Sequence, residues 1–117
     1  MTNQEIADRL VALCRQGDYE TVYRDLFHPD ALAIEPAHSQ LPEARGVEAI
    51  REKGRQFNEG MQEMHGGYTS DPLVAGNYIT LTMGMDVTMK DGNRMQMDEV
   101  VVYELQDGKI VKEQFFY

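Results

Sequence analysis

MDEVVVYELQDGKIVKEQFFY (residues 97–117) decides how this chain folds, because it reads as two strands joined by a tight turn. Apolar and polar residues alternate on both sides of Asp107-Gly108, which is typical of strands with one buried face. The stretch NYITLTMGMDVTMKDG (77–92) alternates in the same way and also ends on Asp-Gly. We therefore predict that the second half of the chain forms a meander of antiparallel strands.

Two carboxyl groups interrupt the apolar side of these strands. Glu99 and Glu113 occupy positions where the alternation predicts buried side chains. A buried carboxylate without a partner costs several kcal/mol or takes up a proton. Perturbed acids of this kind are typical of functional sites. Two other interpretations stay open: a salt bridge to Arg51, Lys53 or Arg55 from a helix, or a solvated margin of the sheet.

The turn at the last Asp-Gly determines which residues face each other. A two-residue turn would place Tyr103 opposite Lys112, whereas a three-residue loop would place Tyr103 opposite Val111 and Val101 opposite Glu113. The three-residue loop keeps the apolar residues of both strands on one face. Burial favours that register, and we adopt it.

The same loop in the earlier hairpin pairs Met83 with Glu99 and Ile79 with Tyr103. All three strands then share one apolar face. In this register Glu99 and Glu113 are diagonal neighbours, roughly 7–8 Å apart at the backbone and within reach of long side chains. We expect the two acids to form the polar floor of a pocket, in which at least one pKa is raised.

Helical spacing of apolar residues predicts three helices in the first half of the chain. Thr2 or Asn3 caps the first, which ends at Gly17, and Asp18 caps the second. The third runs over residues 46–61, after a short strand. Neither a linker nor an internal repeat separates the two halves of the chain.

Length and charge limit the classes of function. The chain has 117 residues, so we expect one α+β domain over residues 1–117. Its 11 basic and 20 acidic residues give a net charge of −9, which disfavours nucleic acids and anionic membranes as partners. Without a signal peptide or an apolar run of roughly 20 residues, it is expected to be cytoplasmic. Its single cysteine, Cys14, is expected in the core.

Further residues are candidates for a site around the two glutamates. His65 can exchange a proton there if its side chain faces inward, which depends on an uncertain strand offset. No spacing typical of metal ligands is present, so we predict neither a metal site nor a cofactor. The residues expected to bind the ligand are Glu35, Phe57, Met83, Met97, Val101, Tyr103 and Phe115.

Three stretches carry a resemblance that covers essentially the whole chain: GDYETVYRDLFHPDALAIEP (17–36), GVEAIREKGRQF (46–57) and DEVVVYELQDGKIVKEQFFY (98–117). The chain resembles the nuclear transport factor 2-like superfamily and, within it, SnoaL-like domain proteins. The resemblance implies a cone, in which a curved antiparallel β-sheet and three N-terminal-half helices enclose a pocket. It also implies a homodimer that forms through the outer surface of the sheet.

The superfamily includes isomerases, polyketide cyclases and dehydratases that use a carboxylate at the cavity floor. The resemblance therefore implies a proton-transfer enzyme acting on a small apolar carbonyl or hydroxyl compound. One of Glu99 and Glu113 would remove a proton, and the other, or His65, would donate one to the developing oxyanion. The alternative is a non-catalytic module that binds a small ligand or dimerises.

Overall fold

Three helices cover one face of a seven-stranded sheet in the computed structural model, which describes residues 1–117. The helices are α1 (Asn3–Arg15), α2 (Tyr19–Asp25) and α3 (Val47–Gly60). The strands are β1 (Phe27–Ile34), β2 (Ala44–Arg45), β3 (Met61–Thr69), β4 (Leu73–Ala75), β5 (Tyr78–Met89), β6 (Arg94–Gln106) and β7 (Lys109–Phe116). None of the helices is long and apolar enough to cross a membrane.

The predicted helix starts are confirmed. The Thr2 hydroxyl accepts from the Glu5 backbone N–H, and the Glu5 carboxylate accepts from the Thr2 N–H, which forms a capping box. Asp18 caps α2 by accepting from the Thr21 N–H. On α3, Ile50 faces the core, and Lys53 shares its side of the helix.

The strands follow the order β2-β1-β7-β6-β5-β3, and β4 pairs with the other end of β5. Every pairing is antiparallel except that of β1 with β7, so the sheet is mixed rather than wholly antiparallel. The last strand of the meander is thereby placed beside the first strand of the chain. Residues near the ends of β1 and β7 come together although they are far apart in sequence.

The register predicted for the β5–β6 hairpin is confirmed: Met83 lies opposite Glu99, and Ile79 lies opposite Tyr103. The register predicted for the β6–β7 hairpin is wrong. Leu105 faces Ile110, as a two-residue turn requires, and Tyr103 faces Glu113.

The turn between β6 and β7 explains the difference. Asp107 and Gly108 have φ values of 50° and 77°, so both occupy the left-handed region that a type I′ turn demands. A bulge at Val111 then shifts the pairing by one residue, so that Glu104 faces Lys112. The bulge returns the apolar residues of both strands to one face, which a regular two-residue hairpin would not have done.

We call the helix-covered side of the sheet the inner face and the opposite side the outer face. The inner face contributes much of the core, including Ile79, Leu81, Val101, Tyr103 and Leu105. No helix covers the outer face, where several large apolar side chains are exposed: Tyr68, Tyr78, Val100 and Phe116. The ring of Tyr68 lies directly against Gly84, where any side chain would collide with it.

Candidate functional site

Glu113 is a buried carboxyl group on the inner face. It lies on β7 between Ala33 of β1 and Tyr103 of β6, and only 7% of it is exposed. Its carboxyl group has no hydrogen-bond or salt-bridge partner in the protein. Every polar side-chain atom sealed from solvent does have a partner, so the Glu113 oxygens must border space that water can reach.

The surroundings of Glu113 favour its neutral form. Burial raises the pKa of this carboxyl group to about 8. The Lys53 ammonium opposes the rise, whereas the carboxylates of Glu35 and Glu99 add to it. Glu113 therefore carries a proton at pH 7, and it can donate a hydrogen bond or a proton.

Four weak acids on two helices and a strand are close enough to Glu113 for its charge to act on them: Cys14 of α1, Tyr19 and Tyr23 of α2, and Tyr103 of β6. Burial raises the pKa of each group, to about 12 for Cys14 and Tyr19, and the Glu113 charge raises each further. All four are therefore neutral at pH 7. Helical spacing predicts that Tyr19 and Tyr23 lie on the buried side of α2; in the structure Tyr23 is half-buried, whereas Tyr19 is 37% exposed.

Glu99 lies on β6 opposite Met83, nearer the margin of the inner face. It is half-buried and, like Glu113, has no hydrogen-bond or salt-bridge partner. Burial raises the pKa of its carboxyl group to about 7, Glu35 raises it further, and Lys53 lowers it. Near neutral pH a large fraction of Glu99 is ionised and can accept a proton.

The two acids are not diagonal neighbours, which corrects the prediction. Glu113 faces Tyr103, and Tyr103 lies four residues beyond Glu99 on β6. At the rise of a β-strand this is about 13 Å at the backbone. Val101 and Phe115, which face each other, lie between the two acids. The carboxyl groups therefore occupy two ends of one apolar strip.

Glu35, predicted to bind the ligand, is instead held by the protein. Its carboxylate, 7% exposed, lies 2.6 Å from the Lys53 ammonium and accepts a 2.7 Å hydrogen bond from the Tyr117 hydroxyl. Arg51 and Arg55 bind glutamates on the protein surface. The proposed salt-bridge partners are therefore all engaged elsewhere, and none binds Glu99 or Glu113.

His65 was predicted to join the two glutamates, and the structure does not place it there. A bulge in β3 turns its ring to the outer face, where Nε2 lies 2.6 Å from Thr88 Oγ1 and Nδ1 lies 3.9 Å from Glu63. The strand offset was the unknown on which this prediction depended. No group of three or more His, Cys, Asp or Glu side chains is arranged to hold a metal ion.

The remaining predicted ligand-binding residues lie on the inner face or on α3. Val101 and Tyr103 are buried in the core, whereas Phe57, Met83, Met97 and Phe115 are half-buried. Two depressions, of about 150 and 210 Å³, lie beside Tyr68 and involve the outer face, and Glu99 is among the residues that line the smaller one. An inner pocket stays a prediction, supported by the unpartnered oxygens of Glu113.

Comparison with known proteins identifies the family to which this chain belongs. The family model described as a SnoaL-like domain matches residues 1–117. A provisionally named SnoaL-like polyketide cyclase from Mesorhizobium loti is 36% identical, with full coverage of both chains and a TM-score of 0.92. No curated protein matched the chain.

More distant structures show the same fold. A protein of unknown function from Xanthomonas campestris with a cystatin-like fold has a TM-score of 0.80 at 20% identity, covering 99% of this chain and 90% of that one. A nuclear transport factor 2-like protein from Burkholderia thailandensis has a TM-score of 0.84 at 18% identity, with the same coverage. The predicted fold class, an α+β cone, is confirmed.

Proposed function

Because the chain belongs to the SnoaL-like domain family, we propose that it is a cofactor-independent acid–base enzyme acting on a small carbonyl or hydroxyl compound at the inner face. The observation that carries the proposal is Glu113, a carboxyl group that is 7% exposed and has no partner in the protein. A buried carboxyl group without a partner lowers the stability of the folded protein considerably. Such groups are usually found at functional sites.

The two glutamates take different roles. Glu99, with a pKa of about 7, is the base that removes a proton from the substrate. Glu113, with a pKa of about 8, stays protonated and donates to the oxygen on which negative charge develops. Because Glu35 is already bound by Lys53 and Tyr117, it takes no part in the transfer.

The pH dependence of kcat tests this assignment. The rate should rise as Glu99 loses its proton through pH 7, and it should fall as Glu113 loses its own through pH 8. The expected profile is a narrow bell with its maximum between these values. The substrate for the assay is sought among molecules that co-purify with the protein, identified by mass spectrometry.

A rate that stays flat from pH 5 to pH 9 would contradict the roles of both glutamates. A co-purified molecule that is recovered unchanged under all conditions would favour the binding module instead.

The outer face suggests a partner as well. Tyr68, Val100 and Phe116 are exposed side by side on this uncovered surface, and we propose that a second copy of the chain covers them. Val100→Glu should weaken the dimer at least tenfold, because the new carboxylate would be buried without a partner. Sedimentation velocity over a concentration series measures the change.

Leu41→Glu is the matched control, because Leu41 is exposed in the loop before β2, where the carbonyl of the neighbouring Pro42 accepts from Lys53 of α3. If Val100→Glu and Leu41→Glu sediment alike, the outer face is not the interface.

A further inference from the structure

The centre of the inner face is closed. Val101, which lies between the two acids, is 0% exposed, and Glu113 is 7% exposed. A small molecule that is to touch these side chains must therefore displace part of the protein. The segments that open most easily bury little apolar surface and make few contacts with the rest of the fold. The loop over residues 36–43, between β1 and β2, has both properties.

This loop is attached to the domain by hydrogen bonds rather than by packing. It lies outside any helix or strand, and none of its side chains is buried. Two of its hydrogen bonds stay within the loop: the Ser39 N–H donates to the Pro36 carbonyl, and the Leu41 N–H donates to Ser39 Oγ. Each hydrogen bond that joins the loop to another element involves Tyr117 or Lys53.

Tyr117, which follows β7, holds one side of the loop through three groups. Its hydroxyl donates to the Glu35 carboxylate at 2.7 Å and lies 2.8 Å from Ser39 Oγ. Its backbone oxygen lies 2.7 Å from His38 Nε2, and its ring meets the His38 ring edge to face. A single residue therefore binds both the residue before the loop and the first half of the loop.

Lys53 of α3 holds the other side of the loop. Its ammonium donates to the Pro42 carbonyl at 3.1 Å and lies 2.6 Å from the Glu35 carboxylate, which Tyr117 also binds. The same ammonium lies 5.9 Å from the centre of the Phe115 ring on the inner face. The contacts that hold the loop therefore extend over the apolar side chains of the inner face.

The register of β6 and β7 shows which end of the inner face the loop occupies. Val100 faces Phe116 in an antiparallel pair, so Tyr117, the next residue, reaches the level of Glu99. The loop therefore lies at the end of the inner face that carries Glu99.

From these contacts we propose that residues 36–43 form a lid over the Glu99 end of the inner face, and that Tyr117 and Lys53 hold this lid closed. Lids of this kind open to admit a small molecule and close to exclude water. The inference goes beyond the proposed acid–base function. It requires that a small molecule reaches the inner face, and it holds whether that molecule is converted or only bound.

Alkylation of thiols by iodoacetamide measures the opening of the lid. Val101→Cys places a small thiol at a closed position on the inner face, and the natural Cys14 of α1 is a second buried thiol, 6% exposed. Mass spectrometry of peptides gives the rate at which each thiol is alkylated. The thiol at position 101 reports access to the inner face, whereas Cys14 reports unfolding of the domain.

Tyr117→Phe in the Val101→Cys protein should raise the alkylation rate at position 101 about tenfold and leave the rate at Cys14 unchanged. The substitution removes the hydroxyl that binds Glu35 and Ser39, and a hydrogen bond to a carboxylate changes an equilibrium by about this factor. Lys53→Met removes the other attachment and should have the same effect. Circular dichroism verifies that the variants fold.

Tyr68→Phe is the matched control. It removes a tyrosine hydroxyl that donates to Asp98 at 2.8 Å on the outer face, away from the loop. Both alkylation rates should stay as they are in the Val101→Cys protein.

Two results would overturn the inference. An unchanged rate at position 101 would mean that the loop does not control access, and equal acceleration at both thiols would mean that Tyr117 stabilises the whole domain instead. If Val101→Cys fails to fold, hydrogen exchange decides the question: the Leu41 N–H should exchange about tenfold faster in Tyr117→Phe than in Tyr68→Phe, and equal rates would overturn the inference. These measurements need no substrate, so their failure is distinguishable from failure of the pH profile.

Discussion

Glu99→Gln is expected to lower kcat by about 10²- to 10⁴-fold, the usual contribution of a positioned general base. The amide is close to the carboxyl group in shape but cannot accept the substrate proton, so folding should be preserved while turnover is lost. The rise of the rate through pH 7 should disappear with it, because this limb reports the ionisation of Glu99. Steady-state kinetics from pH 5 to pH 9 measures both effects.

Glu104→Gln is the matched control for this substitution. Glu104 lies on the same strand, its neighbour across the sheet is Lys112 at 3.9 Å, and its side chain is on the outer face. This variant should retain full activity. If Glu99→Gln retained it too, Glu99 would be a tolerated polar residue rather than the base.

Glu113→Gln is expected to make the protein more stable above neutral pH. The pKa of Glu113 is raised from 4.5 to about 8 in the folded protein, so between these values the folded state binds more protons than the unfolded state. The free energy of unfolding therefore falls as pH rises through this window. At pH 7 the accumulated loss is about 3 kcal/mol. Glutamine stays neutral at every pH, so the variant avoids this loss of stability.

Urea unfolding at pH 5 and pH 8 tests this expectation. The difference between the two pH values should shrink in Glu113→Gln, with nearly equal stabilities of variant and parent at pH 5 and a more stable variant at pH 8. Glu104→Gln is again the control and should keep the pH dependence of the parent protein. An unchanged dependence in Glu113→Gln would mean that Glu113 is not buried in its neutral form.

Glu99→Gln and Glu113→Gln together distinguish a functional site from buried polar residues that have no function. A working site should lose activity when either acid is replaced, and it should gain stability at high pH when Glu113 is replaced. If the glutamates have no function, the Glu113 variant should be more stable at high pH, and neither variant should lose activity. The proposal requires the combination of effects, because the protein would otherwise have no reason to keep a carboxyl group that destabilises it.

Local patterns determined much of this protein without knowledge of its tertiary structure. The Thr2 and Asp18 caps and the alternation along β5 and β6 depend on neighbours in sequence, and the structure confirms them. The alternation also singled out Glu99 and Glu113 as polar exceptions on the buried face. Each is a property of a few consecutive residues, whose periodicity reports which side is buried.

Only the tertiary structure decided how the polar residues are combined. The type I′ turn and the bulge at Val111 both agree with the alternation, yet they move Glu113 two residues further along β6 from Glu99 than the prediction had it. The pairing of Glu35 with Lys53 depends on α3 crossing the end of β1, and the bulge in β3 turns His65 to the outer face. A one-residue shift in a strand reverses every side chain, and the energies that choose between shifts come from packing across the whole sheet.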